Sequence, residues 1–136
     1  MDLMHSLHSF VAKRHGTPIE PGIFDGAIFV ADWVAEVTGE DPAKPFRGRY
    51  NGFAQGVRLV RKAGYGSLSE LAGASCQKVS GGWMAARTGD VALIDGEGPG
   101  CFGIVAGDHI IVASPAGGLD FVELSKAWEV FRPCVA

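Results

Sequence analysis

An α+β fold is predicted for this chain of 136 residues, with helices in the first half packed on a small antiparallel sheet built from the second. Two observations carry that prediction. Apolar residues recur at helical spacing up to about residue 76, and from residue 79 onward the pattern changes to short β-rich runs separated by glycine. A third, the absence of any internal repeat or linker, makes residues 1–136 a single domain with one core.

Residues 2–14 place Leu3, Met4, Leu7, Phe10 and Val11 on one helical face, the mark of an amphipathic packing helix. Gly16, Thr17 and Pro18 end it, and Pro21 and Gly22 keep the connector extended. Residues 25–39, DGAIFVADWVAEVTG, form the central helix. Ile28, Phe29, Val30, Ala31, Trp33, Val34, Ala35 and Val37 cover most of its circumference and leave only Asp25, Asp32 and Glu36 as a polar stripe. Asp25 suits the N-cap, because its carboxylate accepts otherwise unpaired first-turn amides, and Gly39 suits the left-handed C′ position. A proline-punctuated loop with Arg47 and Arg49 follows. A third helix over residues 52–63 is expected, capped by Asn51, with Phe53, Val57 and Val60 on one face and Arg58, Arg61 and Lys62 on another. Ser67 and Glu70 make a capping box for a short fourth helix to about residue 74. Runs at 91–95, 102–106, 109–114 and 119–124 then read as an antiparallel meander, and 127–131 as a short last strand or a turn of helix. The glycine-rich stretch 96–100 reads as a hairpin loop rather than a phosphate loop, since no helix and no Lys-Ser/Thr pair follows.

Composition narrows the function. A net charge of −3 with scattered basic residues argues against nucleic acid as the main partner. No apolar run is long enough to span a membrane, and the polar, histidine-bearing N-terminus lacks a signal peptide's core, so synthesis and folding in a bacterial cytoplasm are expected. With 47% hydrophobic and only 20% charged residues, part of the surface is expected to be covered by a partner. Cys76, Cys101 and Cys134 are odd in number and widely spaced, hence reduced thiols, and neither they nor the His5/His8 pair make a metal site. No cofactor is implied.

Four stretches carry a resemblance. F-D-x-A-x-F-V-A-D-W-V (residues 24–34), T-G-x-D-P (38–42), R-G-R-Y (47–50) and R-x-G-D-V-A-L-I (87–94) leading into a G-I-V strand resemble the NlpC-like, papain-fold cell-wall cysteine peptidases. The similarity is greatest to a small branch found in tail gene clusters of bacteriophages and gene-transfer agents, and it covers the chain from about residue 20 onward. It implies a papain-like fold in which the residue after the helix-initial Asp is the nucleophilic Cys. It also implies a His opening the second strand of the sheet as base, with a polar residue on the next strand orienting it. A helix start stabilises a thiolate, and a nearby imidazole moves the proton to the leaving amine.

In this chain the nucleophile position falls on Gly26, the base position on Cys101 or Phe102, and the third near residues 109–112. Both reactive groups are missing, and loss of a catalytic nucleophile alone costs many orders of magnitude in rate. The resemblance therefore implies a catalytically degenerate, structural component of a phage-type tail tip or related particle, bound to tail hub and tail tip proteins. Two alternatives stand beside it. One is a peptidoglycan-processing endopeptidase that uses Cys101 with His109 as base. The other is a non-cutting cell-wall module in which Asp25, Asp32, Trp33 and Trp83 line a groove. Core packing competes with the groove role for both tryptophans, and a carboxylate such as Asp32 on a buried helix calls for an ion pair with Arg47 or Arg49.

Overall fold

The computed structural model describes residues 3–95, 100–114 and 117–134. The chain runs α1 (Leu3–Arg14), α2 (Gly26–Thr38), α3 (Phe53–Lys62), α4 (Leu68–Ser75), then β1 (Cys76–Lys78), β2 (Val91–Ile94), β3 (Cys101–Ala106), β4 (His109–Ala113), β5 (Leu119–Glu123) and β6 (Ala127–Pro133). The six strands form one open antiparallel sheet in the order β1-β6-β2-β3-β4-β5. The expected α+β architecture is what this is, and residues 96–99 of the glycine-rich stretch lie outside the described residues.

The central helix has the expected ends. Asp25 accepts the Ile28 amide at 2.9 Å, and Gly39, at φ 84°, donates its amide to Ala35 O. α2 lies against the sheet with Ile28, Phe29, Val30, Trp33 and Val34 buried. With Leu7 and Phe10 of α1 it covers a face made by Val91 and Leu93 of β2, Phe102 and Ile104 of β3, Ile111 of β4 and Phe131 of β6. Strand alternation sends Ala92, Ile94, Val105, Ile110, Val112 and Val130 to the opposite face. A 3₁₀ turn at Gly82–Ala85 contacts β6 there.

Three expectations need correction. The meander holds for β2 to β5, and of the two readings of 127–131 the strand holds and the turn of helix does not, but β6 is longer and more central than expected: a seven-residue inner strand that crosses over to pair with β2 on one side and β1 on the other. β1 itself was hidden by its length of three residues, because no periodicity can register over so short a run; pairing with the end of β6 makes it a strand. Asn51 does not cap α3. Gly52 occupies the N-cap without a side-chain bond, and Gln55 reaches back to accept the Asn51 amide at 3.0 Å. At α4 the expected cap is present: Ser67 Oγ accepts the Glu70 amide at 3.1 Å, while the Glu70 carboxylate takes the amide of Gly66 at 2.6 Å.

Candidate functional site

The start of α2 is anchored by a network built on Asp25. Besides Ile28, its carboxylate accepts the Gly22 amide at 2.9 Å and the Tyr50 hydroxyl. Burial, and then the Asp25 carboxylate, push the Tyr50 phenol well above its usual range, so it stays a neutral donor. Gly22 has φ 82°, and a Cβ there would lie 2.2 Å from Tyr50 O, so only glycine permits this approach. Two turns on, Asp32 binds Arg47 at 2.5 Å and Arg14 at 3.5 Å, and Arg47 also grips Asp41 at 2.6 and 3.0 Å. The ion pair expected for Asp32 is therefore made with Arg47. Arg49 is exposed and takes no part.

Directly after Asp25, Gly26 opens into a cleft of about 320 Å³ between α2, α3, α4 and the nearer ends of β2 and β3. A Cβ at Gly26 would meet nothing within 4 Å. Val30, Phe46, Val57, Val60 and Phe102 contribute apolar walls, and Asp25 and Tyr50 stand at one end with their polar atoms paired to each other. Across the cleft α3 presents Phe53, Val57 and Val60, yet has no buried residue, so its apolar face looks onto the cleft instead of into the core.

The other candidate residues separate. Of the two positions considered for a base, Phe102 packs in the cluster that faces α2, whereas Cys101 joins the cluster on the opposite face. Both residues border the cleft, Phe102 packing toward α2 and Cys101 with the cluster on the other face, as the two-residue period of a strand requires. Continuing the β3–β4 ladder by two residues from the Ile104–Ile111 pair sets Phe102 beside Ala113, at the end of β4. His109 pairs with Ala106, five residues from Cys101, or about 17 Å along the strand. It is half-exposed, bonds Asp108 Oδ1 at 2.7 Å and meets the Phe121 ring edge-on.

A Cys101–His109 dyad is therefore excluded by position. Burial also raises the Cys101 thiol, as it raises Cys76 to about 11, which is opposite to what a nucleophile needs. All three cysteines are free thiols.

Neither tryptophan reaches the cleft. Trp33 has no exposed surface, stacks T-shaped on Phe10 at 5.3 Å and donates its indole N–H to Gly89 O at 2.8 Å. Trp83 lies in the 3₁₀ turn Gly82–Ala85 that contacts β6. Among the described residues no three His, Cys, Asp or Glu side chains converge as a metal site would require, and no helix is long and apolar enough to cross a membrane.

One structural residue escaped the sequence reading. Asp90, buried to 2% exposure in the R-x-G-D-V-A-L-I stretch, accepts the Arg87 amide at 2.8 Å and both Arg132 Nε and Nη2 at 2.9 and 2.8 Å. The only hint was the chemistry of an Asp just before an apolar strand, and its partner lies 42 residues away.

A family model described as a domain of unknown function (DUF6950) matches residues 1–133. The chain belongs to this family. The match takes in every described element of the fold, from α1 to β6, so the cleft and the Asp25 network both lie within the family's own boundaries. Among curated proteins none matches this DUF6950 chain.

Proposed function

We propose that this domain is a papain-like scaffold emptied of its chemistry, serving as a structural component of a phage-type tail tip or related particle. The observation that supports this most is the identity of two positions on the cleft wall: Gly26 at the helix start and Phe102 on β3. Acyl transfer needs a nucleophile and a base within hydrogen-bond reach; neither Gly26 nor Phe102 can donate or accept a proton, and the Cys101 thiol on the same wall lies about 17 Å along the strand from His109. Gly26 has room for a side chain. What is missing is the reactive groups, not the space for them. The competing wall-binding reading loses its stacking residues, since Trp33 is in the core and Trp83 lies away from the cleft.

The test is a muropeptide-release assay on purified peptidoglycan with the native chain and with a Gly26→Cys/Phe102→His variant, joined to mass spectrometry of purified particles. No release by the native chain, iodoacetamide-reactive thiolate at neutral pH in the variant, and stoichiometric presence in mature particles are expected. Cleavage by the native chain, or its absence from particles, overturns the reading.

A further inference from the structure

Charge is distributed unevenly around the cleft. Residues 42–69, which form its outer wall through α3 and the start of α4, hold six of the chain's twelve Lys and Arg and none of its fifteen Asp and Glu. Arg47 is consumed by Asp32 and Asp41. Among the described residues the other five, Lys44, Arg49, Arg58, Arg61 and Lys62, make no ion pair and are exposed. Arg61 is itself part of the cleft wall, one turn beyond Val57. Asp25 already neutralises the start of α2, so the attraction for an anion lies at Arg61.

The lining also says what kind of molecule fits. A peptide would bring backbone amides and carbonyls into a space walled mostly by apolar side chains, where Asp25 and Tyr50 are already satisfied and few other polar groups stand, and each unpaired group would be costly to bury. An aliphatic chain brings none. A volume of about 320 Å³ is at the small end of ligand pockets and suits one chain rather than two.

From these observations we propose that the cleft beneath α3 binds a single-chain anionic amphiphile, with its alkyl chain between Gly26, Val30, Val57, Val60 and Phe102 and its carboxylate on Arg61. The proposal does not depend on a role in a particle tail.

The experiment is calorimetric titration of the full chain with laurate below its micelle concentration, in parallel with dodecyltrimethylammonium, which has the same chain and the opposite head. Saturable one-to-one binding of laurate is expected, at least about tenfold tighter than the cation. Arg61→Glu, at a solvent-exposed residue of the cleft wall, should lose about tenfold in laurate affinity, whereas Lys126→Glu, which does not line the cleft and makes the same charge change, should lose little. Gly26→Leu projects a side chain into the open floor without touching the core and should abolish binding while keeping the native circular dichroism spectrum. Equal affinity for both heads, no saturable binding, or undiminished binding by folded Gly26→Leu overturns the proposal. So does a dimer in sedimentation that Gly26→Leu dissociates, since the cleft would then belong to a second copy.

Discussion

Two faces of α2 are both apolar in sequence and opposite in use. On the face of Phe29 and Trp33 the helix is sealed against α1 and the sheet, with Phe10 tilted on Phe29 at 5.6 Å and the Trp33 indole closed on both its ring and its N–H. On the face of Gly26 and Val30 the same helix borders the cleft, and the facing helix α3 buries nothing. Apolar composition therefore does not distinguish a core from a cleft; the difference lies in whether a second element closes down on the apolar surface. Stability should reside on one face and recognition on the other.

Truncating one aromatic side chain in each of the two regions gives the largest expected contrast. Trp33→Ala leaves a cavity and an unpaired Gly89 carbonyl, and should cost about 3–5 kcal/mol. Phe53→Ala, half-exposed on α3, should cost less than about 1 kcal/mol. Urea denaturation at unchanged m-value measures both. Similar losses would mean that α3 is part of the core after all.

A smaller contrast separates the two arginine-bound aspartates. Asp90 is sealed, holding Arg132 in a two-pronged grip and the Arg87 amide as well, so Asp90→Asn should cost about 2–4 kcal/mol. Asp32, more open to water, should cost about 1 kcal/mol on the same change. Thermal melts of the pair give the order directly, and an unchanged melting temperature for Asp32→Asn would mean that the Arg47 contact contributes nothing.

The cluster around Arg47 also sets a pH dependence. The Arg47 hydrogen bond holds the Asp41 carboxyl below its usual value of 3.8. A carboxyl lowered in the folded state adds stability that is present above its unfolded pKa and lost as the pH falls through the folded one. The stability gap between native protein and Arg47→Met should therefore be greatest near pH 6 and shrink steadily below about pH 4. A gap that stays constant to pH 2.5 would rule out linkage through this pair.

What the sequence disclosed and what it concealed divide along the same lines. α2 was legible to the residue, because Asp25 and Gly39 are local signals that act within one turn. An ion pair of Asp32 with Arg47 or Arg49 followed from charge on a buried helix, and the structure makes it with Arg47. The place of β6 inside the sheet was not legible, since Ala127–Pro133 pairs with strands far away in the chain and carries no local mark of being central. That Phe102 packs toward α2 and Cys101 with the other face turned on a one-residue register, which alternation alone leaves open when both neighbours are apolar. Trp33 failed as a groove residue for a related reason: periodicity gives its helical face but not which face is sealed.

The smallest expected effect concerns Gly26 itself. It is the first residue of a helix, an added Cβ has free space, and alanine restricts the unfolded chain more than glycine does. Gly26→Ala should then stabilise the fold by about 0.5 kcal/mol, read as a higher urea midpoint. Since the helix would be better served by alanine, what glycine supplies here is clearance at the floor of the cleft. The series Gly26→Ala, Gly26→Val and Gly26→Leu should accordingly lose laurate binding step by step while the urea midpoint stays at or above that of the native chain. Binding and stability falling together along the series would mean instead that the start of α2 is packed, and that both faces of the helix do the same work.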